Sequence, residues 1–151
     1  GYYTGGPFAN EGLLYQWSAA MNGYTTPGAQ GLCPTGWHIP TDAEWKTLVE
    51  YAAGTPGCES SYGWQCSPAG SHLSSYTLNG DNSTVFSGLL VGFRSSNSVF
   101  VDRTSFAFFW SSVDSEGTGT AWTRGLSSSY ATVEYNLDGK ASGYSVRCLK
   151  D

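Results

Sequence analysis

Four cysteines, at positions 33, 58, 66 and 148, are the side chains whose chemistry must be settled first. Their spacing matches neither a Cys-x-x-Cys motif nor a mixed His/Cys zinc cluster, so two disulfides are the better reading. Three pairings are open. Cys33 with Cys148 and Cys58 with Cys66 is preferred, because the second closes a short loop and the first ties the early chain to its last strand. In the chain-entropy model the long closure is worth roughly 4 to 5 kcal/mol. Disulfides imply an oxidising exterior. Of the two histidines, His38 in "GWHIP" is read as a satisfied structural residue, and His72 lies in polar loop with no evident partner. Neither Ser-x-x-Lys, Gly-x-Ser-x-Gly nor a phosphate loop occurs, so no catalytic constellation and no cofactor are expected. "LNGDNST" at 78–84 has the flavour of a calcium loop but lacks the Asp-x-Asp-x-Asp-Gly spacing with a later Glu, and reads as a surface turn; no metal is expected.

The elements that must hold these residues are legible in part. In "CPTGWHIPTDAEWKTLVEYAAG", Thr41 and Glu44 make a Ser/Thr-x-x-Glu capping box and Asp42 sits at the positive end of the helix dipole. Trp45, Leu48, Val49 and Ala52 recur at helical spacing, which predicts a helix over Asp42–Ala53 stopped by Gly54 and Pro56. Before it, Tyr2, Tyr3, Phe8, Leu13, Leu14, Tyr15 and Trp17 read as one or two short strands. After it, residues 55–87 are mostly Gly, Ser, Pro, Asn and Cys and read as an excursion loop. A turn near Ser96 predicts a hairpin leading into a strand at Phe108, Phe109 and Trp110. "TAWTRGL", "YATVEY" and "GYSVRCL" then read as three short antiparallel strands, the last with Tyr144, Val146 and Cys148 at period two.

Totals bound the rest. With 151 residues the chain reads as one domain, and 20 Gly with a heavy Ser/Thr load point to a loop-rich α+β class. A net charge of −5 with only seven scattered basic residues argues against nucleic acid or an anionic membrane as partner. No run of 18 apolar residues and no charged-then-apolar leader occurs, so no direct membrane insertion is expected.

"GLCPTGWHIPTDAEWKTL" at 31–48, "FSGLLVGFR" at 86–94, "FWSS" at 109–112, "AW" at 121–122 and the closing "GYSVRCLKD" resemble the signature of the Fibrobacter succinogenes major paralogous domain family. The resemblance implies a C-type lectin-like fold: α+β, with a small helical part and a twisted antiparallel sheet supporting long irregular loops. In that fold a bridge such as Cys33 to Cys148 staples the first helix to the last strand. The C-terminal part is also similar to the variable proteins of diversity-generating retroelements of phages and gut bacteria. Their frame is matched by Phe109, Trp110, Ser111, Ser112, Ala121, Trp122, Arg124, Leu126, Val133, Lys140 and the run from Gly143 to Cys148. In such systems a template rich in asparagine codons is copied with substitutions at adenine. Every non-frame residue between positions 123 and 142 is reachable from that codon, Glu134 excepted.

From position 113 to 142, Ser, Thr, Gly, Tyr and Asn make up 16 of 30 residues, the palette of adaptable binding loops. The implied function is a receptor-binding protein that displays diversified residues toward a protein or glycan receptor, outside the cell, on a cell surface or a virion. The candidate ligand-binding residues, spread over 110–148, are Asp114, Ser115, Thr118, Thr120, Thr123, Gly125, Ser127, Ser128, Tyr130, Thr132, Glu134, Tyr135, Asn136, Leu137, Asp138 and Ser142, with Tyr130 and Tyr135 as energetic anchors. Trp110, Trp122, Arg124 and Arg147 are expected to support them. The alternatives are a static adhesion or lipoprotein module and an oxidase resembling the formylglycine-generating enzymes. The last needs a reactive cysteine pair, and no Lys, Arg or His neighbours Cys58 or Cys66 in sequence, so an enzyme is not expected.

Overall fold

A computed structural model describes residues 11–75 and 80–151. In chain order its elements are α1 (Trp17–Ala20), β1 (Trp37–His38), α2 (Asp42–Ala53), β2 (Gly63–Gln65), α3 (Ala69–Leu73), β3 (Phe93–Arg94), β4 (Phe100–Val101), β5 (Phe106–Ser115), β6 (Thr120–Ser127), β7 (Val133–Gly139) and β8 (Leu149–Lys150). The class is mixed α+β, with few helices and several antiparallel sheets. Both disulfides form as expected, Cys33 with Cys148 and Cys58 with Cys66.

α2 runs over the predicted residues, and its ends show why. Thr41 Oγ1 accepts from the Glu44 N–H, while the Glu44 carboxylate accepts from the Thr41 N–H at 2.8 Å. At the other end Gly54 takes φ +65°, a left-handed turn that its missing Cβ makes inexpensive. Trp45, Val49 and Ala52 face inward.

The principal sheet has the order β2-β7-β6-β5 and carries a core on each side. On the helix side, Phe109, Leu126 and Val133 pack with Trp45, Val49 and Leu73. On the far side, Trp110 and Ala121 pack with Trp17, Met21, Ile39 and Tyr144. Period-two alternation along β6 divides the residues between these sides: Arg124 and Leu126 face the helix, Thr123 and Gly125 the far side. Two further ribbons, β3–β4 and β1–β8, complete the frame, and Cys33–Cys148 closes beside the second.

Three expectations are corrected. Residues 13–17 do not form strands. Tyr15 makes a single bridge to Tyr144 before α1 begins, and Trp17 is buried with its indole N–H donating to the Ser111 carbonyl; Tyr2, Tyr3 and Phe8 lie outside the described residues. The stretch 55–87 is more than loop. The Cys58–Cys66 bridge folds it back so that β2 can add to the β7 edge, and α3 follows. "GYSVRCL" is not one strand, because its backbone is shared among neighbours: Gly143 bonds Arg94, Tyr144 bonds Tyr15, and Ser145 bonds Phe108 and Trp110.

His38 is held at both ring nitrogens, Nδ1 by Asp151 at 2.7 Å and Nε2 by Glu44 at 3.1 Å. His72 does have a partner, the Ala52 carbonyl at 2.6 Å from Nδ1. Within "LNGDNST", Leu78 and Asn79 lie outside the described residues, and Asp81 accepts from the Ser83 N–H as a turn residue does.

The helix side is clamped by Arg124, whose side chain is 1% exposed. Its Nε and Nη2 bond the two Glu59 carboxylate oxygens at 2.9 and 2.6 Å, and Nη1 reaches Asp42 Oδ1 at 2.9 Å. The pair thus joins β6, the start of α2 and the disulfide-closed loop at 58–66. Removing one partner of a buried ion pair strands a charge in low dielectric, at about 3–5 kcal/mol. Urea denaturation of Arg124→Met is expected to show a loss of that size, and Arg124→Met with Glu59→Met a loss well below the sum of the single changes.

Candidate binding face

The sheet and its turns sort the sixteen candidate residues into distinct places. Asp114, Ser115, Thr118 and Thr120 sit at the β5–β6 hairpin end. There the Thr118 and Thr120 hydroxyls bond each other at 2.6 Å, and Asp114 pairs with Lys140, whose ammonium lies 4.2 Å from the centre of the Trp17 ring. Ser128, Tyr130 and Thr132 lie on the β6–β7 turn, and Ser142 follows β7. Glu134 and Asp138 stand on the far side with Thr123 and Gly125, and alternation places Asn136 there as well.

Not all of these offer surface. Thr123 is 1% exposed and Ser127 2%, and Gly125 is also buried. Thr123 is covered because its hydroxyl donates to Asp138 Oδ2 at 2.7 Å, and Ser127 Oγ accepts from the Ser129 N–H. These three form the floor of the face, against the expectation that they meet a partner directly. Tyr135 is turned to the helix side: its hydroxyl donates to Asp42, its ring stacks on Trp122 at 4.6 Å, and the Arg124 guanidinium lies 4.3 Å from its centre. Burial pushes its hydroxyl up to about 12, and the nearby Asp42 charge adds to that. Tyr135 is therefore a pillar, whereas Tyr130 is 51% exposed and leans on Trp64 at 5.0 Å. Leu137 follows Tyr135 by alternation, opposite Trp122.

Of the expected supports, Trp110 and Arg124 are fully buried, while Trp122 is half-buried in a cluster of rings with Tyr62 and Tyr135 and Arg147 is exposed. Reading the sequence missed the aromatic rim of the face. Trp64 enters from β2 opposite Glu134, within 6.1 Å of Phe106, which stacks on Phe108. The alternation Phe106, Phe108, Trp110 marks two of these rings in the sequence, but Trp64 lies in a stretch too polar to read as a strand.

The electrostatics of the face are acidic. Burial raises the Glu134 carboxyl above its ordinary value and the Asp138 charge raises it further. Burial also raises Asp138, against bonds from Thr123 and Tyr144 that lower it. Among the described residues neither carboxylate has a cation within ion-pair distance. No group of three or more His, Cys, Asp or Glu that could hold a metal occurs among them.

Comparison with known proteins identifies the family. The profile described as the Fibrobacter succinogenes major domain covers residues 3–150. The chain belongs to that family. Neither a curated protein nor a solved structure matches it. Residues 31–48, which carried the resemblance in sequence, supply in this family member β1, the capping box of α2 and one half of the long disulfide.

A carboxyl whose pKa is raised by folding favours the folded state while it is neutral. That contribution is complete below the ordinary value of 4.5 and is lost as pH rises through the raised one. Glu134→Gln is expected to raise Tm by a few degrees at neutral pH, with the gain vanishing as pH falls below 4.5. Thermal melts of both proteins across that range check it.

Proposed function

We propose that this protein is a binding module with a C-type lectin-like scaffold. It presents the far side of β7 and the β6–β7 turn to a receptor outside the cell, and those residues are diversified from a template repeat. One observation carries the reading. Residues that stabilise the sheet, Arg124, Leu126 and Val133, turn to the helix side, while Glu134 and Asn136 stand half-open on the other, beside Trp64 and Tyr130. Side chains there change without entering either core. An exposed Tyr on a Trp, with adaptable Ser and Asn around it, is suited to recognition rather than catalysis.

The chemistry of the face favours a protein receptor bearing Lys or Arg. Two carboxylates without a cation, Glu134 opposite Trp64 and Asp138 further along β7, offer ion pairing, and the rings of Trp64 and Tyr130 add cation–π contact beside Glu134. Two disulfides support an oxidising location. No helix among the described residues is long and apolar enough to cross a membrane. The frame around these residues, from "FWSS" to "GYSVRC", supports diversification rather than a static adhesion module.

Two measurements test this. The DNA flanking the gene is expected to hold a near-copy of the segment encoding 109–148 together with a reverse transcriptase gene; complete flanks with neither refute diversification. Separately, replacing Ser128, Tyr130 and Asn136 with assorted residues is expected to move Tm by no more than about 3 °C, the shift of roughly 1 kcal/mol in a domain of this size. A display library varied at these positions and at Glu134 should yield binders to a basic protein target. Collapse of the fold in most members would show that the face is structural.

A further inference from the structure

A second concave site lies away from the sheet face and shares none of its residues. It is a groove of about 400 Å³, within the range of small-molecule sites, walled by Trp37, Pro40, Trp45, Leu48, Phe86 and Arg147. Its rim leaves apolar surface in water: Trp37 is 39% exposed, Leu149 40% and Val85 80%. Apolar side chains gathered around a concave site are what a ligand with an apolar body would cover.

The charge inside is what selects an occupant. Glu44 also borders the groove, but its carboxylate is already taken by the Thr41 N–H, the Thr41 hydroxyl and His38. Arg147 differs. Lys46, Arg103, Arg124 and Lys140 each pair with a carboxylate, whereas Arg147, like Arg94 and Lys150, has none within ion-pair distance among the described residues, and of these three it is the one that lines the groove. Its guanidinium lies 4.3 Å from the centre of the Phe86 ring, and Nη2 donates to the Phe86 carbonyl. A guanidinium has five N–H donors in a planar fork, so most of its capacity stays open, held in place by the ring beneath it.

We propose that this groove binds a small organic monoanion, a flat apolar body lying against Trp37 and Phe86 and carrying one carboxylate or sulfonate that Arg147 grips. The body returns the rim's apolar surface to a dry contact, and the acid supplies the missing counter-charge. A cationic or neutral ligand leaves Arg147 unmatched, and a second carboxylate would meet Glu44. The site stands independently of the receptor-binding reading, since it uses neither β6 nor β7.

The test uses two fluorescent naphthalene probes of similar shape, anionic 8-anilinonaphthalene-1-sulfonate and neutral N-phenyl-1-naphthylamine. Saturable binding of the anionic probe at one site per folded chain is expected. Arg147→Gln should weaken it about tenfold or more, as loss of a charge-assisted contact does, while the neutral probe keeps its affinity within about twofold. Arg147→Lys should retain most of the anionic affinity, and Trp37→Ala should weaken both probes. Near-UV circular dichroism identifies variants that keep the native fold, and a fall in anionic but not neutral affinity with added salt tests the charge on the unaltered protein. Unchanged anionic binding in Arg147→Gln, equal loss of both probes, or no saturable binding overturns the proposal.

Discussion

A buried guanidinium is tolerable only where carboxylates meet it, and the architecture of this protein is arranged around that requirement at Arg124. Glu59 comes from the loop closed by Cys58–Cys66, and Asp42 from the first turn of α2. Both acids must arrive for β6 to keep its arginine dry, so loop, helix and sheet cannot settle independently. Tyr135 lies against the cluster from β7, its ring on the guanidinium and its hydroxyl on Asp42. Three neighbouring parts of the chain are thereby fixed on one side of the sheet.

Fixing one side leaves the other free to do something different. Across the same strands lie Glu134 and Asp138, two acids whose burial is not compensated by a cation. Their charged forms weaken the fold slightly. The proposed receptor-binding role would account for that cost, because groups held ready for a partner are not satisfied internally. The aromatic rim of Trp64, Phe106 and Tyr130 sets Glu134 in partly dry surroundings, where the cationic group of the proposed receptor would gain most.

The parts of this molecule legible in its sequence are those governed by local rules. The capping box at Thr41 and Glu44, the stop at Gly54 and the hairpin around Ser96 follow from neighbours in sequence; cysteine number and spacing give two disulfides, with the observed pairing one of three left open. Trp64 was not legible, because a three-residue strand in a Gly- and Ser-rich stretch carries no periodicity, and its pairing with β7 is a tertiary fact. The same holds for the run ending at Cys148. Its alternation resembles a strand, yet its hydrogen bonds go to residues near 15, 94 and 109. Within the candidate site, type and spacing do not tell which side of the sheet each residue takes. Alternation placed Tyr135 opposite Glu134, and only the cross-strand contacts reveal which side is open.

Gly125 lies opposite Glu134, and a Cβ there would stand 2.9 Å from the Glu134 Cβ and 3.0 Å from Phe108 Cε1. Any larger residue at 125 must therefore push the neighbouring acid outward or find something smaller in its place. Volume on one strand is traded against volume on the next, and the set of shapes open to this surface is smaller than free combination of its positions would allow.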